Sequence, residues 1–179
     1  MQIRKTTPAD LPAVMAIYQQ AREIMQESGN PSQWANNHPA QSIIEADIAA
    51  GHSYVCEKTA EKTGKNENRI VAVFYLDTAP DPTYEKIDGA WLNSAPYGVV
   101  HRIARAKSQD AKGAGAFCLN WCFQQIPNIR IDTHKDNAPM LKMLPKLGYE
   151  YCGIIWLANG DERLAFQKTD PNYPSQTQN

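Results

Sequence analysis

What the sequence lacks narrows the field first. None of its 179 residues falls in an apolar stretch long enough to span a bilayer, which takes about 20 consecutive residues as a helix. The opening Met1-Gln2-Ile3-Arg4-Lys5 enters strand-like sequence directly, without the apolar core of a secretory signal. The cytoplasm is the expected compartment, with no membrane partner. Charge of one sign is also missing. A formal net charge of −1 leaves no surplus of Lys and Arg to neutralise the phosphates of a nucleic acid. Cysteines number four: Cys56 and Cys152 lie in apolar strand-like runs, and Cys118 and Cys122 are four apart on one helix. No flanking His or Asp completes a ligand set for that pair, so buried reduced thiols are expected and a metal is not.

What is present describes an ordinary globular chain, 42% hydrophobic and 21% charged. The length suits one domain with a sizeable core, expected over residues 1–168. Residues 169–179 are rich in Asn, Gln, Ser and Pro and read as a disordered tail.

The chain is organised around Asp110-Ala111-Lys112-Gly113-Ala114-Gly115-Ala116, between the strand-like run Tyr97–Ala104 and a helical run through Gln124. Strand, glycine loop and helix together aim free backbone N–H groups at an anion, and the helix dipole adds positive potential there. Gly113 and Gly115 would let a diphosphate approach the backbone, and Lys112 adds a mobile charge. Taken alone, two glycines one residue apart before a helix are more often a tight turn and a packing accommodation. No G-K-[ST] follows, and the third glycine of a dinucleotide fingerprint is absent.

In order, Ile3–Thr6 reads as a strand, and Thr7-Pro8 opens a helix bearing Leu11, Val14, Ile17, Tyr18, Ala21, Ile24 and Met25 on one stripe. A turn cluster at 28–31 ends it, and a second helix runs from about Ala40 to Ala50. Residues 52–57 and 69–76 read as antiparallel strands joined by an exposed polar connection over 58–68. The segment 84–96 has no clear reading. Asn128–His134 reads as a fifth strand. Asn137 then caps a helix with Pro139 early in it and Gly148 as its stop. Residues 149–156 and 163–167 flank a turn at Asn159-Gly160-Asp161. The fold class is therefore α/β (α+β): a mixed, mainly antiparallel central sheet of about seven strands with helices on both faces.

Asp110-Ala111-Lys112-Gly113-Ala114-Gly115, with the later Asn137 and Gly148-Tyr149, resembles the GCN5-related N-acetyltransferase (GNAT) family. That family has Arg/Gln-x-x-Gly-x-Gly/Ala after its fourth strand, and later an Asn opening a helix that ends in Gly-Phe. The resemblance runs roughly from Gln2 to Lys168. It implies an acyltransferase that uses acetyl-CoA as co-substrate, with the pyrophosphate on the amides of Lys112 to Ala116. Asp110, Ala111 and Asn137 would contribute to the same site. The pantetheine arm would lie along the fourth strand near Ile103 and Arg105, as an added strand does. The acceptor would be the primary amine of a small molecule or amino-acid-like compound. A non-catalytic CoA-binding sensor or interaction module is the alternative, and a homodimer is left open.

Acetyl transfer needs the thioester at attack distance from a neutral amine, and a route for the thiolate's proton. Here the sequence departs from the family. Asp110 replaces the usual Arg or Gln, Arg105 replaces a β-branched residue, and Leu144 stands where many members place an acidic tyrosine. His101 on the fourth strand is the candidate for proton handling, since its ordinary pKa lies near neutrality. With Trp34, between the first two helices, it is also a candidate for the acceptor side. Asp132 and His134 share one side of the fifth strand, where capping or loop fixing suits them better than catalysis.

Overall fold

The computed structural model describes residues 1–62 and 65–173. The strands are β1 (Gln2–Lys5), β2 (Ser53–Lys62), β3 (Lys65–Asp77), β4 (Asp88–Gly89), β5 (Gly98–Arg105), β6 (Asn128–Thr133), β7 (Glu150–Trp156) and β8 (Glu162–Thr169). The helices are α1 (Leu11–Glu27), α2 (Gln41–Ala49), α3 (Ala114–Gln125) and α4 (Ala138–Lys146). The expected class of fold is present, with eight strands among the described residues rather than about seven, in the order β1-β2-β3-β5-β6-β8-β7-β4. The additional strand is β4, two residues inside the segment the sequence left unread. The fourth strand of the sequence reading is therefore β5.

The chain forms two compact units, Met1–Leu76 with Arg102–Leu119, and Asp77–His101 with Asn120–Asn179. In the first, β1 and β3 flank β2 antiparallel, with Gln2↔Glu57 and Tyr54↔Phe74 in register. The stripe of α1 is as expected: Val14, Ile17, Tyr18 and Ala21 are buried with Ile44, Val55, Val73 and Ala104. Pro8 opens a single 3-10 turn before α1, and the Asp10 carboxylate accepts the Thr7 N–H at 2.7 Å. Arg4 grips that carboxylate and Glu57, at 2.7 and 2.6 Å. The Arg4 hydrogen bond holds the Asp10 carboxyl well below the usual range.

The expected loop over 58–68 is instead mostly strand. β2 and β3 stay paired to Lys62↔Lys65, and Thr59 donates to its cross-strand partner Asn68 at 3.0 Å. A polar two-stranded ribbon has no apolar face, so it lacks the alternation by which strands are read. The Thr59–Asn68 pair is of the polar cross-strand kind that supports register.

In the second unit β8 lies antiparallel between β6 and β7. Tyr84, Val99, Cys152, Ile155 and Ala165 form its core. The unread segment is held by buried polar side chains, which explains its blank sequence signature. The Gln167 amide accepts the Leu92 N–H at 2.8 Å and donates to Asn128 Oδ1 at 2.7 Å. Asn128 in turn donates to Asn93 Oδ1 and the Pro96 carbonyl, both at 3.0 Å. Arg130, 6% exposed, donates to the Asn93 carbonyl at 2.8 Å. Its guanidinium lies 4.3 Å from the Trp91 ring centre and 3.9 Å from that of Tyr97. β4 meets β7 where Gly89 faces Gly153, and a Cβ on either would strike the opposing backbone.

The four cysteines are buried. Among the described residues no helix is long and apolar enough to cross a membrane, and no His, Cys, Asp or Glu group gathers to hold a metal.

Candidate functional site

After β5 the first unit makes a 3-10 turn, Gln109–Ala111, and then starts α3 at Ala114. Between them Gly113 adopts φ +81°, the left-handed region that a Cβ disfavours. No atom lies within 4 Å of where its Cβ would sit. The backbone therefore faces open space at the point where the helix begins. An open depression of about 400 Å³ lies there, lined by Arg105, Lys107, Ser108, Gln109, Lys112 and Gly113. Three of those six residues are cationic, and an anion is the ligand such a lining suits.

Most of the expected cofactor residues gather here, in different roles. Arg105, Lys112 and Gly113 line the depression, while Ala111 and Ala114 are wholly buried beneath it. Gly115, Ala116 and Ile103 are half-buried. Asp110 does not confront the site as a bare charge, because Lys58 of β2 lies 3.3 Å from its carboxylate. Sequence reasoning placed the charge of Lys112 beside the loop and missed Lys58, 52 residues from Asp110. It also missed Ser108 and Gln109, whose only signal was adjacency to the glycine loop. Asn137 lies in the second unit, where its side chain accepts the Met140 N–H at 3.3 Å as the cap of α4. Leu144, on the same helix, is completely buried, so the position of the usual tyrosine carries core packing.

Strand β5 carries an irregularity in the first unit. Arg102 has φ +51°, uncommon for a residue with a long side chain. Tyr18 of α1 donates its hydroxyl to the Arg102 carbonyl at 3.0 Å. The guanidinium bonds Asp47 of α2 at 2.7 and 3.1 Å and lies 4.6 Å from the Tyr75 ring centre. Trp34 packs edge-on against Tyr18, ring centres 5.7 Å apart, and lines a polar recess with Gln19, Arg22 and Glu23.

The second unit builds a cluster of titratable side chains about His101. Its Nε2 lies 2.7 Å from Asp81 Oδ2, and its Nδ1 lies 3.7 Å from Asp132 Oδ1. Tyr84, 1% exposed, donates its hydroxyl to that same Asp132 oxygen at 2.7 Å. Burial acts to raise the Asp81 pKa, but hydrogen bonds from His101 and Thr83 prevail and hold it at about 2. Burial, with Asp132 beside it, pushes the Tyr84 hydroxyl well above its ordinary value. Tyr84 is thus a hydrogen-bond donor throughout the physiological range. An imidazole held between two carboxylates is fixed in orientation. His134 lies outside this cluster: it is 3.4 Å from Asp136, and burial lowers its pKa.

No protein-family model and no curated protein matches the chain. Solved structures do. An acetyltransferase of the GNAT family from Streptococcus agalactiae superposes with a TM-score of 0.79 and 28% identity over 96% of each chain. The ribosomal-protein-alanine N-acetyltransferase of Brucella melitensis gives 0.58 and 19%, over 95% of this chain and 100% of that one. The ribosomal-protein-S18-alanine N-acetyltransferase of Escherichia coli gives 0.55 and 14%, over 97% and 98%. The last two share the fold alone. The class is that of the GNAT-fold proteins, as the glycine loop and the Asn137 helix indicated. Within that class, the chain is similar to the streptococcal acetyltransferase in sequence as well as fold.

Proposed function

We propose that residues 1–168 form one acetyltransferase domain that transfers the acetyl group of acetyl-CoA to the primary amine of a small molecule or amino-acid-like acceptor. The observation that carries this is the cationic depression at the start of α3, opened by Gly113 and lined by Arg105, Lys107 and Lys112. It fits a diphosphate: the backbone is accessible, cations surround it, and Lys58 neutralises Asp110. Acetyl-CoA, when bound, supplies an activated acetyl group as a thioester. The amides from Lys112 to Ala116 hold its diphosphate, and the backbone of Ile103 to Arg105 aligns its arm. We assign Asn137 a contact with that arm in addition to its cap.

In the transfer the amine nitrogen forms a bond to the acetyl carbon, the carbon–sulfur bond breaks, and one proton passes from nitrogen to the departing sulfur. His101, oriented by Asp81 and Asp132, is assigned to handle that proton together with water. Backbone N–H groups stabilise the charge on the carbonyl oxygen. Trp34, half-buried against Tyr18, is assigned to the acceptor as an apolar wall. The fully buried Leu144 favours one rival reading, a CoA-binding module without transfer activity. Thiol release from acetyl-CoA across a panel of small amines, amino acids and N-terminal peptides decides between them. Release above the no-acceptor control with small amines is expected. CoA binding without release with any acceptor would establish the rival, and release with peptides alone would move the acceptor to proteins.

A further inference from the structure

A long side chain held at positive φ inside a strand persists only where its surroundings over-determine it. Arg102 meets that description in the first unit, for its carbonyl and its guanidinium are each fixed by a different helix. Tyr18, 1% exposed, holds the carbonyl from α1. Asp47 holds the guanidinium from α2, and both of its bonds go to the same carboxylate oxygen, Oδ2. Tyr75 closes over the guanidinium from β3. The residues that follow, Ile103 to Arg105, take their backbone direction from this point, since one left-handed residue re-aims the N–H and C=O groups beyond it. Arg105 is already at the depression.

We propose that Tyr18 and Asp47 are positioning residues, which hold Arg102 in its left-handed conformation and thereby set the backbone of Ile103 to Arg105 for CoA. The inference rests on the CoA-binding reading above. Neither residue touches the ligand in this account: they act through Arg102. Their effect should follow the backbone preference of residue 102 rather than its charge. Asn tolerates the left-handed region among residues with a Cβ, and a β-branched residue is a true outlier there.

The test is CoA affinity by calorimetry for the full chain and four variants, with a melting curve for each. Tyr18→Phe keeps the ring in the core and removes the donor, and a roughly tenfold rise in Kd is expected. Asp47→Ala, at a site where a helix readily accepts alanine, is expected to raise Kd by about threefold to tenfold. Arg102→Asn should stay within about threefold of the parent, whereas Arg102→Val should lose at least about tenfold. A merely structural role lowers the melting temperature and leaves the Kd of the folded fraction unchanged. If Tyr18→Phe and Asp47→Ala fold and bind as the parent does, the inference is overturned. Equal losses for Arg102→Asn and Arg102→Val overturn it too, because charge would then be the operative property. A parent protein with no affinity for CoA overturns the binding reading, and this inference with it.

Discussion

Around Gly113 the chain offers backbone to a ligand, while around His101 it offers side chains that hold one another. The depression in the first unit is open, its cations are exposed, and its shape depends on one left-handed glycine and the start of α3. The cluster in the second unit is mostly buried and depends on four side chains, Asp81, Tyr84, His101 and Asp132. A backbone site tolerates the loss of almost any one side chain and fails when its backbone is obstructed. A side-chain site behaves in the opposite way.

The sharpest break in that contrast is Gly113→Val. A β-branched residue meets conformational strain at φ +81° and fills the open approach. The CoA Kd should rise about 100-fold or more, of which strain of 1–3 kcal/mol accounts for a large part. Calorimetry with a melting curve measures this, and a folded variant that binds like the parent would sink the cradle assignment.

Next in size is His101→Ala in the side-chain cluster. A full acid–base group contributes about 10²–10⁴-fold, and with water sharing the proton kcat should fall by only about tenfold. CoA affinity should not move. Abolished turnover with folding and CoA binding intact would make His101 the sole proton carrier, and the role given to water would be wrong.

A smaller effect separates the two regions by pH. The Asp81 carboxyl is held at about 2, below its ordinary value. A group depressed in the folded state stabilises fully above its unfolded pKa, and that stability is lost as pH falls towards 2. The melting temperature should therefore drop as pH goes from about 4 to 2, with Asp10 adding in the same direction. Asp81→Asn should lower it at pH 7 by about 2–4 °C, the shift that about 1 kcal/mol makes in a chain of this size. It should also flatten the acid limb, and an unchanged limb would show that Asp81 is not coupled to folding.

The smallest effect is expected at Lys58. Exposed ion pairs are weak, so Lys58→Ala should raise the CoA Kd by only about twofold to threefold. Asp110→Asn in that background should restore it, and added salt should shrink the difference. If the double variant binds no better than Lys58→Ala, Lys58 acts on something other than Asp110.

The two regions also differ in how far they could be read from the sequence. The glycine loop is contiguous, and its geometry follows from residue type and order, so Gly113, Lys112 and the start of α3 were legible. The His101 cluster joins residues from distant stretches of the chain, and of these Asp81 was not singled out and Tyr84 opened the segment without a clear reading. The amphipathic stripe of α1 and the cap at Asn137 were legible because period and capping are local. The segment 84–96 was not, because distant polar side chains hold it: Asn128, Arg130 and Gln167 replace the apolar pattern that sequence reading depends on. The long β2–β3 ribbon was misread for a related reason, since the sequence over 58–68 is polar and lacks the alternation by which strands are read.

The crossing of β4 and β7 constrains how the sequence can drift over generations. At Gly89 and Gly153 the obstacle to any side chain is the opposing main chain, the Cys152 carbonyl in one case and the Asp88 carbonyl in the other. Shrinking a neighbour is the usual way in which a second change rescues a first, and a carbonyl group offers nothing to shrink. Each glycine should therefore be intolerant by itself, with no partner substitution able to compensate. In a saturation library selected for folding, both positions should return glycine alone while the side chains around them vary together.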